Sequence, residues 1–388
     1  FEEEKKIPLA FSSRWCSYSS GPVLAAWAFA KLGIADIALF QKLAKEVERN
    51  HHSLQPLHIA NLCWSFATLG IEQDDFLAII SRLSINMITQ FNPQQLTNLA
   101  WTFARFEMRD VLLFSAIQNQ TSCTLAEFVP EGLSKIVWSL AKINYCHDSF
   151  LDAVLIQAHR LVDIFDGQSL STLLWAMAQL NYPGTVPLDP LINRIAALAK
   201  TFSSQSLANI IWSLAILQPD SPIDWSDLLS LANTRIDELS DEGITQIYHA
   251  TFLVPGIQLD TNLRCRCDRV FEQRKKHKPQ SNSFEEMIAR QFDRLNINYE
   301  TQFFFEGYFI DIKINFNNRK YALECDGTRF HYVNEGTDSR RFGHDVLKEK
   351  ILTKSGFTVI RISDKDYINI KQPAKWFRNL LSKHDHSM

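Results

Sequence analysis

The sequence predicts a mainly α protein, an α-solenoid of 37-residue helical hairpin repeats followed by a small α/β domain. Three observations predict it. Trp27, Trp64, Trp101, Trp138, Trp175 and Trp212 are spaced 37 residues apart throughout, in a chain with only nine tryptophans. Each lies in a block whose apolar residues recur with helical spacing, as in IANLCWSFATLG, LTNLAWTFARFE and LSKIVWSLAKIN. From Ser283 onward the period ends and short strand-like runs take over. A fixed period of this size marks a supersecondary unit that buries its apolar face only against neighbouring copies.

Taken in order, the first copy, PVLAAWAFAKLG, is the weakest, and ITQIYHATFLVP places His249 where a seventh tryptophan is due, as in a degenerate terminal repeat. Turn and cap residues open the blocks at Asn92-Pro93, Asp166-Gly167, Ser203-Ser204 and Ser240-Asp241. A second amphipathic stretch between blocks, Asp75 to Gln90 or Ser149 to Phe165, supplies the other helix of each hairpin. The solenoid is expected over residues 1–255. Its tryptophan reads as an apolar plug between hairpins, and the alanine three places on (Ala67, Ala104, Ala141) as a small residue at a close helix approach.

One polar seam interrupts the apolar helix at the positions three before, one after and four after each tryptophan. It carries Asn61 and Ser65; Asn98, Thr102 and Arg105; Lys135, Ser139 and Lys142; Thr172 and Gln179; and Asn209 and Ser213. Such side chains suit hydrogen bonding to base edges and phosphates. The seam predicts a row of single-stranded RNA contacts, about one base per repeat. A solvated seam or a peptide groove reads the same pattern differently.

Composition bounds these readings. With 46% hydrophobic and 21% charged residues, the chain is ordinary globular material, long enough for two or more domains. No apolar run approaches the ~18 residues of a membrane span, so no membrane partner is expected. The opening Phe-Glu-Glu-Glu-Lys-Lys matches neither a signal nor a transit peptide. Seven cysteines without a CxxC pair argue for a reducing compartment and against a zinc site, and no small-molecule cofactor is expected. Residues 1–255 hold 16 Lys and Arg against 25 Asp and Glu, whereas 256–388 hold 24 against 18. An acidic repeat region counts against RNA and for protein partners, since phosphate contacts supply most nucleic-acid affinity.

The repeats resemble the heptatricopeptide/octotricopeptide family of organellar RNA-binding α-solenoids, with units of 37 to about 40 residues and an LxNLxWSFAxL helix, over about residues 15–255. The resemblance implies an RNA reader in a mitochondrion or chloroplast, and a bacterial protein would look the same. Residues 256–282, with Arg264, Arg266, Arg269, Arg274, Lys275, Lys276 and Lys278, read as a basic linker that is solvated or touches phosphates.

In the C-terminal domain, residues 283–388, Ser283-Phe-Glu-Glu286 reads as a capping box opening a helix. Strands are expected at Tyr299–Phe305, Tyr308–Phe316, Lys320–Cys325 and Thr358–Ile362, with helices at about Gly343–Ser355 and Pro373–Ser382. Asp311 interrupts an apolar run, and Glu324 with Asp326 closes the next strand. Carboxylates ending adjacent strands can hold Mg²⁺ against a phosphate, with Glu286 and His331 nearby. Each also has a purely structural reading: a cap for Glu286, a buried hydrogen-bonded carboxylate for Asp311, a partly buried imidazole for His331.

The stretches FIDI, ALECDGTRFHY and LKEKILTKSGFTVIRI resemble those of a RAP domain, which is similar to very-short-patch-repair and other PD-(D/E)xK nucleases. This resemblance implies a restriction-endonuclease-like fold in which Asp311 and Glu324 hold Mg²⁺ or Mn²⁺ and Glu286 is the helix acid. The motif lysine falls at Asp326, so Lys348 on the following helix is a candidate substitute, and His331 a candidate general acid–base. The combined expectation is a single-stranded RNA-binding protein that cleaves, trims or protects transcripts, a metal-dependent endoribonuclease if active. The alternative is a protein-binding scaffold with a non-catalytic C-terminal domain.

Overall fold

The computed structural model describes residues 20–218, 223–254, 259–327, 332–333 and 340–383. The chain divides into two compact units, residues 1–128 and 129–388. Among the described residues, no helix is long and apolar enough to cross a membrane.

Unit one contains three helical hairpins: α1 (Ser20–Lys31) with α2 (Ile37–Asn50), α3 (Pro56–Leu69) with α4 (Asp74–Asn86), and α5 (Pro93–Arg105) with α6 (Val111–Cys123). The tryptophan helices α1, α3 and α5 stack on one another as one layer, and α2, α4 and α6 form the second. Local chemistry sets their ends. Asn92 accepts from the Gln95 N–H and Gln95 reaches back to the Asn92 N–H, closing a capping box behind Pro93. Six residues after each tryptophan the chain turns through the left-handed region, at Gly33, Gly70 and Glu107.

The second unit continues the motif with α7 (Pro130–Lys142), α8 (Asp148–Arg160), α9 (Gly167–Gln179), α10 (Asp189–Leu198), α11 (Ser204–Leu217), α12 (Trp225–Thr234) and α13 (Asp241–Leu253). Helices α7, α9, α11 and α13 stack in sequence. Arg194 and Arg235 lock the layers by donating to the Phe165 and Phe202 carbonyls of the preceding repeats.

Two expectations change here. The repeat core is filled by the residue two after each tryptophan, Phe66, Phe103, Leu140 and Met177, all fully buried, together with the alanine at three after. The tryptophans themselves lie on the layer's outer face: Trp27 is 40% exposed, Trp64, Trp101, Trp138 and Trp175 are half-buried, and only Trp212 is buried. They are not the plug, because the +2 side chain already occupies the space between hairpins. Nor is the basic stretch an open connector. Thr261–Lys276 forms helix α14, which buries Leu263, Cys267, Val270 and Phe271 and packs on α13. Its cations fall on the solvent side of an amphipathic helix.

The C-terminal domain follows as α15 (Ser283–Leu295), β1 (Tyr299–Phe305), β2 (Tyr308–Phe316), β3 (Arg319–Asp326), the short pair β4 (Tyr332–Val333) and β5 (Arg340–Arg341), α16 (Gly343–Lys354), β6 (Phe357–Ser363), α17 (Asp364–Ile368) and α18 (Pro373–Lys383). The main sheet runs β1-β2-β3-β6, antiparallel except for the parallel β3–β6 pair. Both hairpin turns, Glu306-Gly307 and Asn317-Asn318, have positive φ at both central residues, as two-residue turns between twisted strands require. One face of the sheet packs Ile312, Ile314, Leu323 and Ile362 against Ile288 and Phe292 of α15 and Phe377 of α18. The other packs Ile310 and Ala322 against Leu352 of α16.

This domain is seated on repeats of its own unit. Gly343, the first residue of α16, lies so close to α9 that a Cβ there would stand 1.9 Å from the Ala178 carbonyl oxygen. Arg340 donates to the Leu180 carbonyl (2.6 Å) and pairs with Asp148. His249 of α13, the seventh tryptophan-equivalent position, stacks on Tyr308 at 4.2 Å and 7° and donates Nε2–H to the Glu306 carbonyl (2.7 Å).

Candidate functional site

The strongest cluster of chemistry in the described residues lies where β2, β3 and α16 converge. Pairing of Ile312 with Leu323 puts Asp311 and Glu324 beside each other on adjacent strands. Asp311 Oδ2 accepts from the Cys325 N–H (2.8 Å), which fixes the carboxylate against β3. Glu324 is 3% exposed; its Oε2 accepts from Lys348 Nζ at 2.5 Å, and its Oε1 is buried with no hydrogen-bond partner. Burial pushes the Glu324 carboxyl up to about 7 against the pull of Lys348, with neighbouring Asp311 raising it further. Lys348 also donates to the Phe309 carbonyl (2.7 Å), so its ammonium is held by α16 from one side and β2 from the other.

The glutamate of α15 that lies against Asp311 is Glu285, one residue before the expected Glu286. Asn282, not Ser283, caps α15, accepting from the Glu285 N–H and donating its amide to Glu285 Oε1 (2.6 Å). Glu285 is buried, and its Oε2 accepts from Gln302 Nε2 (2.7 Å), whose amide also lies 3.5 Å from Asp311 Oδ1. Burial, then the charge of Asp311, raises the Glu285 carboxyl above its ordinary range. Glu286 is exposed and pairs with Arg290 one turn on (3.4 Å), so it stands outside the cluster. The helical pattern could have told them apart. Glu285 precedes the buried Ile288, Ala289 and Phe292 by three, four and seven residues, whereas Glu286 does not share that stripe.

Asp326 is likewise not a member of the acid pair. Both its oxygens accept from Arg361 Nη1 (2.8 and 2.9 Å), and Arg361 also approaches Asp345 (3.7 Å) and Glu349 (3.4 Å). The aspartate at the lysine position of the motif anchors this arginine, which pairs with Glu324 across the β3–β6 ladder. His331 lies outside the described residues. Gln302 and Arg361 carried no sequence signal, because each acts through a strand neighbour distant in the chain.

Among the described residues, no set of three His, Cys, Asp or Glu side chains is arranged to hold a metal. Asp311 and Glu324 are two, and the unpartnered, buried Glu324 Oε1 is an acceptor that a divalent cation fits.

The expected seam divides in two. The hydroxyls one after the tryptophan, Ser65, Thr102, Ser139 and Ser213, are fully buried and donate to the carbonyl four residues back, at 2.6–2.8 Å. They satisfy their own helix and do not face solvent. Asn61, Asn98, Lys135, Thr172 and Asn209 at three before, and Arg105, Lys142 and Gln179 at four after, are half-buried or exposed and flank the tryptophan. In the second unit this face reaches the C-terminal domain, because Gln179 hydrogen-bonds His344 Nδ1 (3.0 Å) in the first turn of α16, one turn ahead of Lys348.

Comparison with known families agrees with both halves. Residues 20–222 match the family described as RNA-editing substrate-binding complex 6 protein. Residues 284–383 match a restriction-endonuclease-like family described as REase_MTES_1575. No curated protein matches the chain.

Proposed function

Since the chain belongs to the RNA-editing substrate-binding complex 6 protein family, we propose that it binds single-stranded RNA through its repeats and hydrolyses a phosphodiester bond in its C-terminal domain. The observation that carries the catalytic half is Lys348. It supplies from α16 the cation that the strand motif lacks at Asp326, and does so at the Glu324 carboxylate beside Asp311.

In this reading Asp311 and Glu324 hold Mg²⁺ or Mn²⁺, which supplies Lewis acidity at the scissile phosphate. Lys348 orients the attacking water and faces the charge that grows on the phosphate oxygens. Gln302 and the Cys325 N–H keep Asp311 aimed, and Glu285 holds Gln302 in turn. The Asp326–Arg361 pair positions β6 behind Glu324. The word complex in the family's description fits additional protein partners.

The test is a labelled single-stranded RNA pool incubated with the protein and Mg²⁺ or Mn²⁺. Defined new ends are expected, lost by at least ~100-fold in Asp311→Asn and Glu324→Gln, with RNA retention on a filter unchanged. Retention lost together with cleavage would refute the division of labour. Retention without cleavage would leave an RNA-binding protein with an inert nuclease-like domain.

A further inference from the structure

The repeat tryptophans are placed where a core residue has no reason to be. The space between hairpins is filled by Phe66, Phe103, Leu140 and Met177, while the indoles of Trp27, Trp64, Trp101, Trp138 and Trp175 keep part of their surface in water. A recurrent, partly solvated aromatic face on a rigid helix is a stacking surface.

Two further observations define what it would stack. Cations sit over these rings: Lys31 Nζ is 5.5 Å from the Trp27 centroid and 4.9 Å from that of Trp64, with Arg105 5.6 Å over Trp101 and Lys142 5.8 Å over Trp138. Within the second unit, the rings of Trp175 and Trp212 face each other at 6.4 Å and 28°. On the same face, Asn98 and Asn209 have their side-chain oxygens engaged by Gln94 (3.0 Å) and Gln205 (3.1 Å), which leaves each its Nδ2 donors. Of the cations on this face, Lys135 is paired with Glu131 one turn earlier (2.6 Å). Across the six repeats no Asp or Glu stands three before or four after the tryptophan, whereas Lys31, Arg105, Lys135 and Lys142 do.

We propose that each partly solvated repeat tryptophan is a platform on which one base of single-stranded RNA stacks, with Lys31, Arg105 and Lys142 meeting phosphates and the polar residues three before the tryptophan meeting base edges. This rests on the RNA-binding reading above and adds its mode of contact. The ligand class follows from the chemistry. A partly solvated π-face in successive repeats, joined by cations at Lys31, Arg105 and Lys142 and by amide donors at Asn98 and Asn209, matches a polymer of flat bases and anionic phosphates. An extended peptide offers neither feature at every repeat.

The experiment titrates the full chain, without divalent ions, with a single-stranded oligouridylate, following tryptophan emission and filter retention together. Quenching that saturates in step with retention is expected. Trp101→Ala and Trp138→Ala should each weaken binding roughly tenfold, the lower range of one lost base–aromatic stack, and Trp→Phe should restore most of it. The phenylalanine variants and the quench decide the matter even where an alanine variant melts early. Unchanged affinity in both alanine variants, or retention without quenching, overturns stacking and leaves RNA binding standing. An oligouridylate and a mixed-sequence RNA both failing to bind the parent chain would instead bring down the RNA reading itself.

Discussion

At the residue scale, backbone conformation and buried charge are the two levers. The turn six residues after each of the first five repeat tryptophans uses Gly33, Gly70, Asn144 and Asn181, all suited to positive φ, but Glu107 takes the same position at φ 53°. A glutamate there carries a strain of about 1 kcal/mol that glycine or asparagine avoids. Glu107→Gly is expected to raise the urea midpoint accordingly; an unchanged or lower midpoint would contradict the strain. Glu324 is the second lever. Its carboxyl is raised from the ordinary carboxylate range to about 7, so the folded state holds this proton better than the unfolded chain does. Stability from this group is therefore full at low pH and declines as pH rises from about 4.5 to about 7. A bound divalent cation removes that cost by pairing the carboxylate. Mg²⁺ or Mn²⁺ should raise the melting temperature clearly more at pH 8 than at pH 5, and an equal shift at both would argue against Glu324 as ligand.

At the element scale, the joint between α13 and the β1–β2 hairpin decides how the nuclease-like domain is carried. His249 stacks on Tyr308, Tyr248 hydrogen-bonds Glu306, and Gly307 at φ 84° tucks under Phe271, where a Cβ would approach within 2.7 Å. Burial lowers the His249 imidazole to about 4, so it is neutral in the folded state and charges first in the unfolded one. Its contribution is complete above about pH 6.5 and is lost as pH falls toward 4, up to about 3 kcal/mol for a shift of that size. Hydrogen-exchange protection factors of β1 and β2, taken relative to the intrinsic rate at each pH, should fall over that window in the parent chain. His249→Phe, which keeps the stack and removes the titrating group, should flatten the response. An identical pH profile in both proteins would dissociate this joint from the imidazole.

At the scale of the whole molecule, charge distribution separates RNA binding from protein binding. Each repeat cation that meets a phosphate releases counterions, so affinity should fall steeply and log-linearly with salt. Removing Arg105 or Lys142 should lower that slope by about one unit each, measured by filter binding across a salt series. A slope near zero would favour an apolar peptide groove. The position of α16 adds a further link, because its first turn touches the ridge at Gln179 while Lys348 one turn later faces Glu324. Ridge and acid pair in the second unit are thus served by one rigid helix.

The division between sequence and structure follows from the range of the forces involved. Period, helix and strand assignment, the hairpin unit and the order of domains were legible because helical spacing, caps and turn residues act within a few residues of chain. The adjacency of Asp311 and Glu324 was also legible, because they fall on neighbouring strands, and so was Lys348, as a lysine on the following helix that reaches Glu324. Which face of the repeat helix meets solvent was not. Asn61, Trp64 and Ser65 share one arc in sequence, and only the packing of Phe66 against Phe40 and Phe76 buries the serine and leaves the indole half in water. The tie of Asp326 to Arg361 and the docking of a supposed linker onto α13 were likewise decided only by tertiary contacts. Each depends on desolvating one of several equivalent polar groups, and which of them is desolvated is set by partners far away in the chain.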